Sequence, residues 1–411
     1  MQTNIAPEFK NTRHGREAEQ ILRTCVHCGF CTATCPTYQL LGDELDGPRG
    51  RIYLMKQLLE GGEVTEKTRL HLDRCLTCRS CESTCPSGVR YGRLVDIGRE
   101  IVEARVPRSG AEKYKRVLLR EGLTRTGLFA AGLAVGRALR PFLPAALKNK
   151  LPAGAQRAGA WPAPRHTRRL IALAGCVQPA LAPDINAATA RVLDRIGISL
   201  IEAPGAGCCG AVRFHLNDHQ GGLEDARRNV DAWLPLLDQG CEGIVMTASG
   251  CGAFVRDYGH ILEDDASAGP AARVALETFD LSEILARERD ALLALLGNRK
   301  PGSGGRIAFH PPCTLQHGQK IRGVVESLLT AAGYELVPVQ DSHLCCGSAG
   351  TYSLLQPELS ERLRANKVAA LSAAGPQLIA SANIGCISHI AGGTQLPVRH
   401  WIELIDAALA G

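Results

Sequence analysis

Cys25-Val26-His27-Cys28-Gly29-Phe30-Cys31-Thr32-Ala33-Thr34-Cys35-Pro36 returns fifty residues later as Cys75-Leu76-Thr77-Cys78-Arg79-Ser80-Cys81-Glu82-Ser83-Thr84-Cys85-Pro86. Three cysteines at three-residue spacing wrap one face of an iron-sulfur cubane, and a turn before proline carries the fourth thiolate to the other cluster of a pair. The pattern assigns Cys25, Cys28, Cys31 and Cys85 to one [4Fe-4S] cluster, and Cys75, Cys78, Cys81 and Cys35 to a second. Zinc knuckles or a disulfide framework are the alternatives; two complete copies closing on Cys-Pro favour clusters. About 40 residues separate Cys35 from Cys75, with a helix-like run over 50–60, which is more than a compact hairpin ferredoxin leaves. The spacing therefore predicts an α-helical ferredoxin module with two clusters, a relay that moves electrons.

Working outward, the chain has 411 residues, room for two or three domains with buried cores. Its 17 cysteines are clustered. The N-terminus lacks the apolar run of a secretory signal, so the expectation is a reducing cytoplasm, where metal ligation is the better reading of such cysteines. The longest apolar stretch, Leu128 to Gly136, is stopped by Arg137 and is too short to span a membrane. Residues 105–169 hold 15 Lys/Arg against only Glu112 and Glu121, a belt of +13 on a remainder of −7. Aromatic residues are only 4%, so stacking surfaces for nucleic acid are not expected.

Beyond the belt the chain repeats itself. A shift of 137 residues lays Cys176 on Cys313 and Cys208-Cys209-Gly210 on Cys345-Cys346-Gly347; Cys251 and Cys386 follow at 42 and 40 residues from the double cysteine. Fixed-period recurrence of this kind is duplication. Short apolar runs alternate with helical ones in each copy: RLIALAG, ISLIEAP and GIVMTAS, then RIAFHPP, ELVPVQD and LIASAN, with helices over 184–196 and 321–332 closed by Gly197 and Gly333. That alternation argues for parallel βαβ units whose strand ends carry the cysteines to one edge. The fold class is thus multidomain α and α/β: residues 1–104 a helical ferredoxin domain, 105–169 a basic helical linker, 170–300 the first Cys-Cys-Gly repeat and 301–411 the second.

Cys176, Cys208, Cys209 and Cys251, and likewise Cys313, Cys345, Cys346 and Cys386, are enough thiolates for a further cluster or metal in each copy, a redox-active vicinal disulfide, or reduced structural cysteines. Gly210 and Gly347 suit a close backbone approach. His310 and His343 lie near the second set as ligands, proton relays or quinone contacts, or as structural residues; the first copy has Ala174 and Gly207 nearby. Cys241 falls outside the repeat and reads as a small buried hydrophobe. Trp161, Trp233 and Trp401 read as core or interface residues. In the first motif, His27 tunes a cluster through sulfur hydrogen bonds or simply faces solvent. Asp43, Glu44, Asp46, Arg49 and Arg51 read as a docking or anion site, or as a helix start with surface ion pairs. Leu118, Leu119, Leu123, Leu128, Phe129, Leu133, Leu139, Phe142 and Leu143 give the belt amphipathic faces, for a partner, for a membrane surface or for covering the neighbouring domains.

Neither a dinucleotide-binding G-x-G-x-x-G nor a P-loop is present, and no Ser/His/Asp or Cys/His nucleophile arrangement is recognisable. Clusters pass single electrons while most metabolites lose two, so a separate flavoprotein partner is expected.

CVHCGFCTATCPTYQLLGDELDGPRGRIYLMKQLLEG, CLTCRSCESTCPSGVRYG and the GCCG and CCGSAGTYS segments together resemble the iron-sulfur subunit of bacterial glycolate oxidase over nearly the whole chain. The resemblance implies an electron-transfer subunit without flavin, working with FAD-binding subunits that oxidise glycolate to glyoxylate. It implies electron delivery to a quinone or membrane acceptor, with the chain cytoplasmic or peripheral on the inner face of the membrane. The corresponding subunit of a D-lactate or glycerol 3-phosphate dehydrogenase, and an iron-sulfur redox sensor, are the alternatives. The C-terminal half also looks like the Cys-Cys-Gly domains of heterodisulfide reductase, which close on Cys-x-x-Cys; here Ala248 and Asn383 stand where the extra cysteine would fall.

Overall fold

In the computed structural model, which describes residues 1–142, 154 and 156–410, the N-terminal part is helical. Helices Arg13–Thr24, Pro48–Leu59, Glu66–Asp73 and Tyr91–Arg105 enclose a core that includes Leu22, Met55, Leu59, Leu72 and Leu94. Their limits follow from local chemistry. Thr12 accepts a hydrogen bond from Gly15 N, Thr65 and Thr68 form a reciprocal capping box, and prolines occupy the first turns at Pro36 and Pro48. Cys25 is the C-cap of Arg13–Thr24, and Cys75 follows Arg74, the C-cap of Glu66–Asp73. Each motif therefore begins where a helix has just fixed the chain direction.

Helices Gly110–Thr124 and Thr126–Ala138 follow, then a short turn Arg140–Phe142. The expected linker is pinned to both neighbours. Arg108 pairs with Asp73 and Glu103, and Glu121 with Arg213 of the following domain at 2.8 Å. Leu133 is buried, whereas Leu118, Leu128, Leu139 and Phe142 are exposed; Leu143 and the belt's Lys148 and Lys150 lie outside the described residues. Among the described residues no helix is long and apolar enough to cross a membrane.

Eight strands form two four-stranded parallel sheets. Arg168–Ala172 (β1), Ile198–Glu202 (β2), Ile244–Met246 (β3) and Thr278–Asp280 (β4) are ordered β2-β1-β3-β4. Arg306–His310 (β5), Glu335–Leu336 (β6), Leu378–Ser381 (β7) and Val398–His400 (β8) repeat that order as β6-β5-β7-β8. Strands β4 and β8 are three-residue additions that the apolar runs do not announce.

The two sheets share one apolar core, running from Leu170 and Leu193 to Trp401 and Ile405. Helix Asp184–Arg195 packs on Trp401–Ala410, and Val324–Ala331 packs on Leu281–Arg287. This is reciprocal contact of the kind a local two-fold produces. Arg191 ties the first pair to Asp406 at 2.7 Å.

Candidate metal centres

The eight cysteines of the N-terminal motifs gather into two adjoining cavities. Cys25, Cys28, Cys31 and Cys85 line one of about 430 Å³; Cys35, Cys75 and Cys78 line the other of about 300 Å³, and Cys81 lines both. Pro48 and Tyr91 also border both, so the cavities share a wall. Cys85 thus borders the cavity of the first motif, and Cys35 that of the second.

Backbone conformation explains the curl. His27 and Thr77, each two residues past the first cysteine of a motif, have φ of 57° and 52°, and Gly29 and Arg79, four past it, have 85° and 57°. Left-handed residues within such loops help to form concavities lined by N–H groups, which suit anionic sulfur centres. Thr77 N–H donates to Cys75 Sγ at 3.4 Å and the Tyr91 hydroxyl donates to it at 3.7 Å. Burial and the neighbouring Cys25 push Cys31 up to about 11, and burial pushes Cys35 and Cys81 up as well. Thiols raised in this way give up their protons only to a cation that compensates them, and two sets of four cysteines fit iron-sulfur ligation. At the first cavity Cys28 is exposed, and Val26 and Phe30 beside it are 66% and 62% exposed.

The duplicated half brings each quartet together at the C-terminal strand ends. Cys176, Cys208, Cys209 and Cys251 lie close enough for each thiol to perturb the next. The neighbouring Cys176 and Cys209, helped by Gly210 N–H and Arg228, hold Cys208 well below the ordinary thiol range. Asn229 and Tyr258 fix the loop by donating to the Cys208 and Cys209 carbonyls at 2.8 and 2.7 Å. In the second copy Cys313 contacts Cys345, Cys345 contacts Cys346, and Cys346 contacts Cys386. Cys78 of the N-terminal module packs against the cluster that holds Cys313. Asn383, where a fifth cysteine would fall, donates to Cys386 Sγ at 3.6 Å.

The remaining candidates divide. His27 is half-buried, its Nε2 2.9 Å from Met1 Sδ. Asp46 and Arg51 are not surface ion pairs: they are 0% and 1% exposed, and Asp46 gathers Arg51, His71 and Arg74 at 3.4, 3.1 and 2.7 Å. The expectation failed because a charged run says nothing about burial, and here the second cavity needs Arg51 as a wall. Arg49 pairs with Glu44 at 2.7 Å and borders the first cavity; Asp43 is exposed. Cys241, Trp233 and Trp401 are core residues, and Trp161 donates to the Leu200 carbonyl. His310 is fully buried, and burial pushes it down to about 3. His343 stays half-buried, its carbonyl accepting from His317, a buried histidine that also contacts Ser83 and had no sequence signal. Tyr91 and Lys367 were likewise missed, being ordinary helix residues until the fold brings them to sulfur.

A model for the 4Fe-4S dicluster domain matches residues 21–89, and one for the cysteine-rich domain matches 171–256 and again 307–391. The glycolate oxidase iron-sulfur subunit of Escherichia coli is 56% identical over 410 residues, covering 100% of this chain and 99% of that one. The probable glycolate oxidase iron-sulfur subunit of Bacillus subtilis is 30% identical over 93% of this chain and 90% of its own. One subunit of the fumarate reductase (CoM/CoB) of Methanothermobacter marburgensis is 25% identical, with 93% of this chain and 68% of that one covered.

Proposed function

The chain belongs to the family of glycolate oxidase iron-sulfur subunits, and from that premise we propose that it carries electrons from a flavoprotein partner oxidising glycolate toward a quinone-type acceptor. The observation that carries this reading is the pair of cysteine-lined cavities with a common wall, eight cysteines between them. Cys25, Cys28, Cys31 and Cys85 would hold one [4Fe-4S] cluster, and Cys35, Cys75, Cys78 and Cys81 the other. When bound, each supplies one-electron redox chemistry. The protein's own part is placement: the nests curl N–H groups toward sulfur, Tyr91 donates to Cys75, and the buried Arg51 adds positive charge beside the second cavity.

The two ends differ in a way that suits a wire. The exposed Cys28, flanked by Val26 and Phe30, offers an entry for a docked flavoprotein, with FAD residing there and not in this chain. The Cys78–Cys313 contact leads from the second cavity into the second repeat, where a further metal-thiolate centre fits the gathered cysteines. The exposed apolar residues of the basic belt suit a partner or the inner face of the cytoplasmic membrane.

Iron and acid-labile sulfide per chain, with EPR on anaerobically purified complex, tests this. About eight irons or more, reduced on adding glycolate, is expected. About four irons, or reduction by D-lactate or glycerol 3-phosphate but not glycolate, overturns it.

A further inference from the structure

His310 ends strand β5 at the sheet edge where the second cysteine quartet converges. It is 1% exposed, and neither Nδ1 nor Nε2 has a hydrogen-bond partner. An imidazole buried this way is destabilising unless something occupies its lone pair. The fold itself does not require a polar group there. The 137-residue shift lays Leu173 of the first repeat on His310, and Leu173 is an ordinary member of that repeat's apolar core.

What faces His310 answers the question. One of its ring nitrogens, Cys346 Sγ and Cys386 Sγ all lie within 4.8 Å of one another. Three ligands around one ion at about 2.0–2.3 Å fall inside that span, since two of them can be no more than about 4.6 Å apart. They come from the ends of three successive segments: strand β5, the double-cysteine loop, and the first turn of helix Ile384–Ala391 after β7. The backbone around them is pinned, Ser381 Oγ donating to the His310 carbonyl at 3.0 Å and Asn383 donating to Cys386 Sγ. Lys367, buried and bonded to the Asp341 carbonyl at 2.7 Å, places positive charge near Cys313, Cys345 and Cys346, as a site rich in thiolate needs. Cys345, in hydrogen-bond contact with Cys346, offers a fourth ligand.

We propose that His310, Cys346 and Cys386 bind a single divalent transition-metal ion of zinc's class, making the second repeat a mixed imidazole-thiolate centre that the first repeat cannot form. Two thiolates and an imidazole are a zinc-type donor set in tetrahedral geometry. The proposal rests on reading the second quartet as a metal site, but not on the clusters of the N-terminal module.

The test is zinc and iron analysis of the anaerobically purified full chain, with X-ray absorption at the zinc edge, to which iron clusters do not contribute. About one zinc per chain with both sulfur and imidazole scattering is expected. His310→Leu, which installs the residue its twin carries, should cut zinc at least about tenfold while the N-terminal EPR signals persist. His310→Cys should keep the zinc and lose the imidazole signature, an outcome that loss of folding cannot imitate. Wild-type protein without zinc, zinc unchanged in His310→Leu, or a fall of about four irons in that variant, each overturns the single-ion site. Failure of the two-cluster reading would appear separately, in the N-terminal iron and EPR.

Discussion

Cys78, in the second N-terminal motif, packs against the apolar cluster that holds Cys313, the first cysteine of the second repeat, although 235 residues separate them. The contact is dry: Leu76, Cys345, Tyr352, Leu359 and Leu363 form one apolar cluster with Cys313. His317 reinforces it, its Nδ1 lying 3.0 Å from Ser83 Oγ. The module and the second repeat are therefore joined at their cysteine-bearing edges, not through the belt alone. Cys313→Ala should leave the N-terminal EPR signals in place yet slow reoxidation of the clusters by acceptor about tenfold or more, read by stopped-flow. An unchanged rate would mean that electrons leave elsewhere.

The joint with the first repeat is electrostatic and should be acid-sensitive. Burial pushes Glu17 upward, but His260, 3.2 Å away, and hydrogen bonds from Arg93 outweigh it and hold Glu17 at about 2. Asp96 is likewise held at about 2, where His215, 3.4 Å away, overcomes burial. Both carboxylates lie below their unfolded values, so their stabilisation is fully present above about pH 4.5 and is lost as pH falls toward about 2. The apparent Tm of the wild type should drop steeply across that window. Glu17→Gln should lower Tm at neutral pH, by the equivalent of about 1–3 kcal/mol, and flatten the acid limb.

Arg51 and Asp46 make a sharper test because both are buried. Arg51 donates to the His71 carbonyl at 2.7 Å and to Thr37 at 3.2 Å, while the Asp46 carbonyl accepts from Thr37 at 2.8 Å, two residues from Cys35. Removing one partner strands a buried charge. Arg51→Met should cost about 3–5 kcal/mol and release iron faster from the second site than from the first. Adding Asp46→Asn to it should recover part of the loss; a double variant worse than the single one would show that the charges do not act as a pair.

What sequence could and could not carry follows from the range of the forces involved. Cysteine spacing acts over a few residues, so the dicluster domain was legible, as was a duplication marked by three cysteine landmarks. The burial of Asp46 and Arg51 was not, because a charged run looks the same whether water or Thr37 and His71 surround it. Strands β4 and β8 escaped because Thr278-Phe279-Asp280 and Val398-Arg399-His400 are too short to show a period; partners across the sheet make them strands. His310 was noticed beside Cys313, but that its partners are Cys346 and Cys386 depends on how three strand ends converge.

The duplication offers its own controlled experiment. Gly210 and Gly347 follow the double cysteines with φ of 91° and 89°, a region where side chains other than glycine's are strained. Space forbids a side chain as well: a Cβ on Gly210 would lie 2.6 Å from the Gly222 carbonyl oxygen, and one on Gly347 would lie 2.7 Å from that of Ser360. Neither obstacle is a movable side chain, so the cysteine loop must shift away from its helix. Each glycine also presents its N–H to sulfur, Gly210 to Cys208 at 3.5 Å and Gly347 to Cys345 at 3.4 Å, and the shift would break that bond. Gly323 has a comparable φ of 74° but nothing within 4 Å of its Cβ, so Gly323→Ala should cost only the backbone strain, about 1–2 kcal/mol. Gly210→Ala and Gly347→Ala should cost clearly more, and Gly347→Ala should also deplete metal from the second repeat while sparing the N-terminal EPR signals. If all three variants melt together, the close approach behind the double cysteines is not what holds them in place.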